Sequence, residues 1–221
     1  PIGSHGVTLD RPLLSAGWSS SNKRPEDAFL TTFMETLRRD GRRLCNALVS
    51  ELDALGPARR SWNPSSQPVV ARLDACLAKG PQETAYLRGA IAAMKPYLSW
   101  QRAPGNPAVN NGKTDFHYRH AFCTLVGEDA RVPTTRLRVG LLLIDAHCFY
   151  PLHAHAADEI YLPLSGTATM QIGPTPPKVR DPGKCLLIPG NTPHAIWTGD
   201  HMVLLAWAWL GDIRGPFLYH S

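Results

Sequence analysis

The chain has 221 residues, of which 43% are hydrophobic and 19% are charged, and its formal net charge is +5. This length is enough for one large or two small domains with a buried core. The charge is uneven, because residues 1–110 hold 14 basic and 9 acidic side chains, whereas residues 111–221 hold 9 of each. A strongly anionic substrate is therefore not favoured in the neutral second half.

The excess basic charge of the first half comes mainly from paired arginines. These are Arg38, Arg39, Arg42, Arg43, Arg59 and Arg60. No aromatic side chains are interleaved with them, so the pairs indicate solvated helix turns rather than a nucleic-acid surface. We predict no nucleic-acid partner.

The five cysteines form an odd set without a Cys-x-x-Cys pair. This pattern argues against a disulfide framework and favours a reducing compartment. No run of residues reaches the length of a transmembrane helix, and no signal-peptide pattern opens the chain. We therefore expect a cytoplasmic protein with no membrane partner. Cys148 and Cys185 lie close to the motifs described below and are candidates to line a site, although such thiols more often pack in a core.

The first half of the chain divides into three segments. Residues 1–24 are polar and predict an N-terminal arm. Residues 25–101 show helical spacing of apolar side chains and predict an α-helical subdomain, with a possible split of the first helix at Gly41 and further helices at about 69–79 and 82–100. Residues 102–114 are rich in glycine, proline and asparagine and predict a linker.

The fourth segment, residues 115–221, has the two-residue periodicity of β-strands. Strands are predicted at 115–126, 135–144, 159–172, 184–188, 194–198 and 202–210, with a turn at Gly166 inside the third run. In the last strand Val203, Leu205, Trp207 and Trp209 share one face. Many short strands between glycine and proline turns are typical of a barrel or a two-sheet jelly roll. The predicted fold class is therefore mainly β, with helices at the N-terminal side.

Four side chains of this segment have the spacing of a metal site: His153, His155, Glu159 and His194. Because alternate residues of a strand face the same side, His153 and His155 share a face, and Glu159 joins them if the short connection preserves the register. His194 follows a Pro-Gly-Asn turn and can arrive from a distant part of the sheet. Imidazole and carboxylate ligands together suit a divalent first-row metal such as Zn, Fe, Ni or Mn.

These residues resemble the two short motifs of the cupin superfamily. The first motif is matched at His153, His155, Glu159 and Gly166, and the second at Gly183, Pro189 and His194. Asn191 and Thr198 depart from the usual second motif, and both departures concern turn geometry rather than ligands. The resemblance implies a cupin β-barrel, a double-stranded jelly roll, over about residues 115–212. The cupin fold alone does not select a function.

The segment from Glu159 to Gly166, together with Tyr150 and the Trp-rich last strand, is similar to the bacterial cupin-type lyases of dimethylsulfoniopropionate (DMSP). Those enzymes cleave DMSP to acrylate and dimethyl sulfide. The resemblance implies that the substrate carboxylate binds the metal, that Tyr161 is the general base and that Tyr150 assists. The alternative is that Tyr161 only packs in the barrel with its hydroxyl satisfied.

A sulfonium substrate also needs aromatic faces, which attract such a cation. The candidates are Trp209, Trp207 and Trp197, with Trp209 preferred, although any single tryptophan more often fills a core. The predicted partner is thus a small zwitterionic sulfonium, and a homodimer is a candidate assembly. Two other functions stay open: an Fe(II)-dependent cupin dioxygenase, and a non-catalytic cupin that binds a small metabolite.

Overall fold

The computed structural model describes residues 24–103 and 116–220. The predicted arm therefore lies outside the described residues except for Arg24, and so does most of the predicted linker. Within the described residues, no helix is long and apolar enough to cross a membrane. The cytoplasmic location and the homodimer stay predictions.

The first helical region is split as the sequence predicts. The helix α1 (Pro25–Asp40) ends at Gly41, whose φ of 70° is left-handed, and α2 (Arg43–Asp53) follows. The Gly41 amide donates to the Leu37 carbonyl and closes the helix end, a conformation that glycine adopts without a Cβ penalty. Pro25 and the acidic residues after it suit the helix start, where a missing amide costs little and negative charge is stabilised.

The later helices are shorter than predicted. A 3₁₀ turn at Pro68–Arg72 leads into α3 (Leu73–Ala78), in place of one helix over 69–79. The helix predicted for about 82–100, with Pro96 kinking or ending it, is shorter in the structure: a 3₁₀ turn at Gln82–Thr84, the helix α4 (Ala85–Met94) and a second turn at Lys95–Tyr97 occupy this segment. Pro96 cannot donate a backbone hydrogen bond, which explains why the α-helix stops before it.

The second half begins with one helical turn, α5 (Phe116–Arg119), where the sequence predicted the start of a strand. Eleven strands follow among the described residues. They are β1 (His120–Gly127), β2 (Val132–Pro133), β3 (Leu137–Ile144), β4 (Phe149–His155), β5 (Asp158–Ser165), β6 (Ala168–Ile172), β7 (Lys178–Arg180), β8 (Leu186–Ile188), β9 (His194–Thr198), β10 (Val203–Leu210) and β11 (Phe217–Tyr219).

These strands form two sheets. One has six strands in the order β2-β1-β3-β10-β5-β8, and the other has five in the order β11-β4-β9-β6-β7. The strand order, with mostly antiparallel neighbours that are distant in sequence, is that of a double-stranded jelly roll. The predicted cupin barrel is confirmed, and so is the turn at Gly166, which separates β5 from β6.

The helices pack on the outer face of the six-stranded sheet and share one core with it. Side chains of α1, α2 and α4 belong to the same buried cluster as Leu204, Ala206 and Ala208 of β10. The other face of β10 turns inward, and Leu205 and Trp207 belong to a second cluster between the sheets. The predicted alternation along the last strand is therefore confirmed. The helical subdomain depends on the sheet for its burial.

Candidate metal centre and cavity

The predicted metal ligands lie on three strands that face the interior of the barrel. His153 and His155 are on β4, Glu159 is on β5 and His194 begins β9. The β4–β9 register places His153 opposite His194, which brings the second motif to the first across the sheet. All four side chains are buried, and the two-residue alternation carries through the short β4–β5 connection.

Three of the four residues converge on one point. The Nε2 atom of His155 lies 3.0 Å from Glu159 Oε2, and His194 Nε2 lies 3.1 Å from the same oxygen. One ligand atom from each of the three residues lies within 4.8 Å of the others. This spacing is compatible with coordination of one cation by two imidazoles and a carboxylate.

The backbone fixes the orientation of each imidazole ring. The Nδ1 atoms of His153, His155 and His194 lie 2.7, 3.0 and 2.9 Å from the carbonyl oxygens of Pro151, Ala157 and Thr192. Each Nδ1–H can therefore donate to a carbonyl two residues away. With a proton on Nδ1, Nε2 can be the ligand atom when a metal is bound, which is the usual arrangement of metal-binding histidines.

The electrostatics of the cluster also fit a bound cation. His194 Nε2 is buried and has no hydrogen-bond partner among the described residues, because its approach to Glu159 lacks hydrogen-bond geometry. Burial alone would raise the pKa of Glu159, but the imidazoles of His155 and His194 outweigh it and hold this pKa at about 2. A buried, ionised carboxylate beside an unpartnered nitrogen needs a positive charge to compensate it. The residues present therefore fit a divalent first-row metal.

His153 lies beside this group of three rather than within it. Its ring centroid is 4.1 Å from that of His194 but 6.3 Å from that of His155. Burial, reinforced by the nearby His194, lowers the pKa of His153 well below its usual value, so the ring is neutral and able to bind a metal. Its role as a fourth ligand stays a prediction.

The cluster borders a cavity of about 1020 Å³, whose wall includes His153, Glu159, Tyr150 and Tyr161. The two tyrosines predicted to be catalytic thus share one cavity with two of the predicted ligands. Burial, reinforced by the charge of Glu159, raises the pKa of Tyr161 well above its usual value. Burial raises the pKa of Tyr150 in the same way. Both phenols are therefore protonated unless a cation approaches them.

Tyr150 has a defined position in a stack of rings. Its ring centroid lies 4.2 Å from that of His153 and 4.2 Å from that of Phe116. Phe116 in turn stacks on His120 at 3.8 Å. His120 accepts a hydrogen bond from the Ala103 amide at Nε2 and donates from Nδ1 to the Phe116 carbonyl. The sequence left His120 without a role, and the structure gives it one as the base of this stack.

The three predicted substrate-binding tryptophans have different positions. Trp209 lines the cavity, and its Nε1 donates a hydrogen bond of 2.7 Å to Glu159 Oε1. Trp207 also lines the cavity and packs over Gly140, where a Cβ would lie 2.6 Å from the indole ring. The prediction for Trp197 is wrong, because its ring lies on the opposite face of β9 from His194 and stacks on Phe149 at 4.8 Å, away from the cavity wall.

Two residues of the cavity wall, Phe217 and Arg138, were not predicted from the sequence, whereas Tyr219 was one of the aromatic residues available for a sulfonium. Phe217 and Tyr219 of β11 line the cavity, and their rings lie 5.1 and 6.2 Å from that of His153. Arg138 lies 5.7 Å from the Trp209 ring centroid. Cys148 and Cys185, which were candidates to line the site, are buried and are not on the cavity wall. The run of three apolar and aromatic residues, Phe217–Tyr219, was the signal for β11, but three residues are too few to predict a strand.

A sequence model of the dimethylsulfoniopropionate lyase family matches residues 40–205. The chain belongs to this family. One curated relative is the dimethylsulfoniopropionate lyase DddQ of Ruegeria pomeroyi, which is 33% identical over 133 residues. The match covers 59% of this chain and 65% of that protein, so it spans slightly less than two thirds of the relative.

Solved structures of the family have the same fold. The crystal structure of the DMSP lyase DddQ from Ruegeria pomeroyi DSS-3 matches with a TM-score of 0.71 and 24% identity, over 87% of this chain and 96% of that one. A chain from the crystal structures of the DMSP lyases RdDddP and RnDddQII matches with a TM-score of 0.69 and 24% identity, over 88% and 98%. Because the coverage is so large, the shared fold includes helices as well as the barrel.

Proposed function

We propose that this protein is a metal-dependent lyase that cleaves DMSP to acrylate and dimethyl sulfide by β-elimination. Membership of the DMSP lyase family supports the reaction class. The observation that carries the proposal to this chain is the cavity wall, where Tyr161 stands beside Glu159 of the convergent cluster. A base and a place for a cation are the two elements that this elimination requires.

Tyr161 is the proposed general base. Its phenolate takes a proton from the carbon next to the substrate carboxylate, and the electrons of that C–H bond form the new C=C bond. The bond from the next carbon to sulfur breaks at the same time, and sulfur keeps its electron pair. Because the sulfonium leaves as neutral dimethyl sulfide, the leaving group needs no proton donor.

Tyr161 has to lose its own proton before it acts, and the protein alone opposes this. The burial of Tyr161 and the charge of Glu159 both favour the neutral phenol. A divalent first-row metal held by His155, Glu159, His194 and, as predicted, His153 would favour the phenolate and stabilise the charge that develops on the substrate carboxylate. The requirement for a cation thus follows from the surroundings of the base as well as from the ligands.

Tyr150 is assigned a positioning role. Its raised pKa keeps the hydroxyl protonated, and its ring is held between Phe116 and His153. A fixed, neutral phenol is a hydrogen-bond donor, so Tyr150 can orient the substrate carboxylate relative to Tyr161.

The sulfonium end of the substrate is assigned to the aromatic part of the wall. Trp207, Trp209, Phe217 and Tyr219 line the same cavity. Each aromatic face attracts a cation by roughly 0.5–2 kcal/mol, and more strongly when water is excluded. Trp209 therefore has two proposed functions, because its indole N–H orients Glu159 while its ring faces the cavity.

The test is to add DMSP to metal-loaded protein and to measure dimethyl sulfide in the headspace and acrylate in solution. The proposal expects equal amounts of both products at the same rate with and without oxygen. Oxygen consumption without dimethyl sulfide would instead identify a dioxygenase. Binding of DMSP without turnover, by protein with a full complement of metal, would identify a non-catalytic cupin.

A further inference from the structure

A second cluster of reactive side chains lies outside the cavity, where the helices meet the barrel. It consists of Asp40 at the end of α1, Cys45 on α2 and Cys185 just before β8. The Cys45 and Cys185 sulfurs and an Asp40 carboxylate oxygen all lie within 4.8 Å of one another. The two cysteines are 140 residues apart in the chain, so only the fold brings them together.

We propose that Cys45 and Cys185 form a reversible disulfide that joins the helical layer covalently to the barrel. Both sulfurs are thiols in this structure. The two sulfurs lie within 4.8 Å of each other, and a disulfide requires them to approach to about 2 Å. The proposal does not depend on the lyase reaction.

The surroundings make the two thiols unequal. The Cys45 sulfur lies 3.3 Å from Asp40 Oδ1, which accepts its hydrogen bond. Arg42 pairs with Asp40 at 2.6 Å and donates a hydrogen bond of 2.7 Å to the Cys185 carbonyl, so a guanidinium stands next to Cys185. The neighbouring Cys45 thiol lowers the pKa of Cys185 against the effect of burial, and Arg42 assists. The neighbouring Cys185 and burial raise the pKa of Cys45, and the Asp40 carboxylate adds to this.

This asymmetry sets the order of the reaction. Cys185 is 7% exposed and Cys45 is fully buried. The Cys185 thiolate therefore attacks a small disulfide such as oxidised glutathione, and one glutathione thiolate leaves. Cys45 then loses its proton to solvent, and its sulfur attacks the Cys185 sulfur of the mixed disulfide to release the second glutathione. The protein loses two protons and two electrons, and one molecule of oxidised glutathione is reduced to two glutathione thiols.

A metal site is the other reading of this cluster, and the charges argue against it. The Asp40 carboxylate already makes a two-point ion pair with Arg42, with contacts of 2.6 and 2.7 Å. A metal would have to displace that guanidinium to use the carboxylate. The cluster would then supply three ligands, one fewer than a structural zinc site has.

The crosslink would tie the helices to a strand next to the active site. Leu186, the neighbour of Cys185, pairs with Tyr161 across β8 and β5, and Ile188 pairs with Glu159. Oxidation would therefore restrain the strand that supports the proposed base. The main expected effect is on stability, because the closed loop is long.

The test is to treat the folded protein with oxidised glutathione, block the remaining thiols, and digest with trypsin. Cys45 falls alone in the peptide 44–59 and Cys185 alone in the peptide 185–214, so a linked pair identifies the bond without ambiguity. We expect this linked pair, a mass decrease of about 2 Da, and a thermal midpoint that rises by roughly 5–15 °C and returns on reduction.

The matched variants are Cys45→Ala, which should abolish the linked peptide and the thermal shift, and Cys123→Ala, which should retain both. If Cys45→Ala yields little folded protein, Cys185→Ala replaces it and should likewise abolish the linked peptide and the thermal shift. The proposal is overturned if the folded wild-type protein keeps both thiols through the treatment, or links another pair. It is equally overturned if one equivalent of Zn²⁺ protects both thiols from alkylation. Each readout is a mass or a midpoint, so failure here leaves the lyase proposal unaffected.

Discussion

Along β10, one face packs against the helices and the other looks into the barrel, and the two interiors differ in chemistry. The helix-facing interior is apolar throughout, with Leu204, Ala206 and Ala208 meeting the apolar faces of the helices. The cavity-facing interior contains aromatic rings and imidazoles beside a buried carboxylate. Close packing stabilises the first interior, whereas the desolvation of polar groups destabilises the second. One strand thus separates the part that holds the fold from the part proposed to carry the chemistry.

The largest expected effect tests the cavity side. Tyr161→Phe removes the proposed base and should lower dimethyl sulfide release by roughly 10²–10⁴-fold, because general-base catalysis contributes about that much. Metal content and the thermal midpoint should stay close to the wild-type values. The control is Tyr118→Phe, at a residue 55% exposed outside the cavity wall. Near-normal turnover of the Tyr161 variant would remove this residue from the mechanism.

On the helix side we expect a loss of stability without a loss of turnover. Phe33 of α1 is fully buried in the shared core, so Phe33→Ala should reduce the free energy of unfolding by about 3–5 kcal/mol. The folded fraction should keep its turnover per active site. Denaturant titration measures the first quantity and activity per folded molecule the second, with the exposed Thr31→Ala on the same helix as control. A loss of turnover in folded Phe33→Ala would show that the two interiors are coupled.

The pH dependence of stability also distinguishes the two interiors, because the buried His120 lies on the cavity side. Burial lowers its pKa from 6.5 to about 4, so the unfolded chain binds a proton more readily than the folded protein. The stability that the neutral His120 ring contributes is therefore fully present above pH 6.5 and is lost as the pH falls towards 4, by about 3 kcal/mol. Denaturant titrations between these two pH values measure the free energy of unfolding. This free energy should depend less on pH in His120→Asn, whereas the exposed His201→Asn should keep the wild-type dependence. Equal slopes in all three proteins would contradict the assignment.

The smallest effect concerns the orientation of one ligand. Trp209→Phe keeps an aromatic ring but removes the hydrogen bond to Glu159, so metal affinity should fall by about 10–100-fold. Competition with a chelator measures this affinity. Trp197→Phe, on the other face of β9, should not change it. If the Trp209 variant binds metal as the wild type does, the indole contributes only its ring to the cavity.

The local geometry of the site could be predicted from the sequence because it depends on parity within strands. His155, Glu159 and Tyr161 share a face by simple alternation, and the structure places them so. Counting from His194 would also have excluded Trp197, three residues later, so that error was avoidable. The three-ligand convergence depends in addition on the β4–β9 pairing, which the spacing of two motifs only suggests.

The remaining features depend on pairings between distant segments. The hydrogen bond from Trp209 to Glu159 requires the β5–β10 register, across 50 residues of chain. Nothing local to Trp209 distinguishes it from Trp207. The shared core of helices and sheet was missed because helical spacing shows that a helix has an apolar face but does not show which partner covers that face.

Gly140 leaves the room that the Trp207 indole needs in the cavity wall. It lies opposite Trp207 in the β3–β10 register, in the middle of a strand where most residues would be bulkier. Added bulk there would meet the Cys123 carbonyl on one side and the indole on the other. The indole of Trp207 would have to shift, and the part of the cavity wall that it forms would shift with it. The volume that the cavity offers to the proposed substrate therefore depends on a residue without a side chain that lies behind the cavity wall.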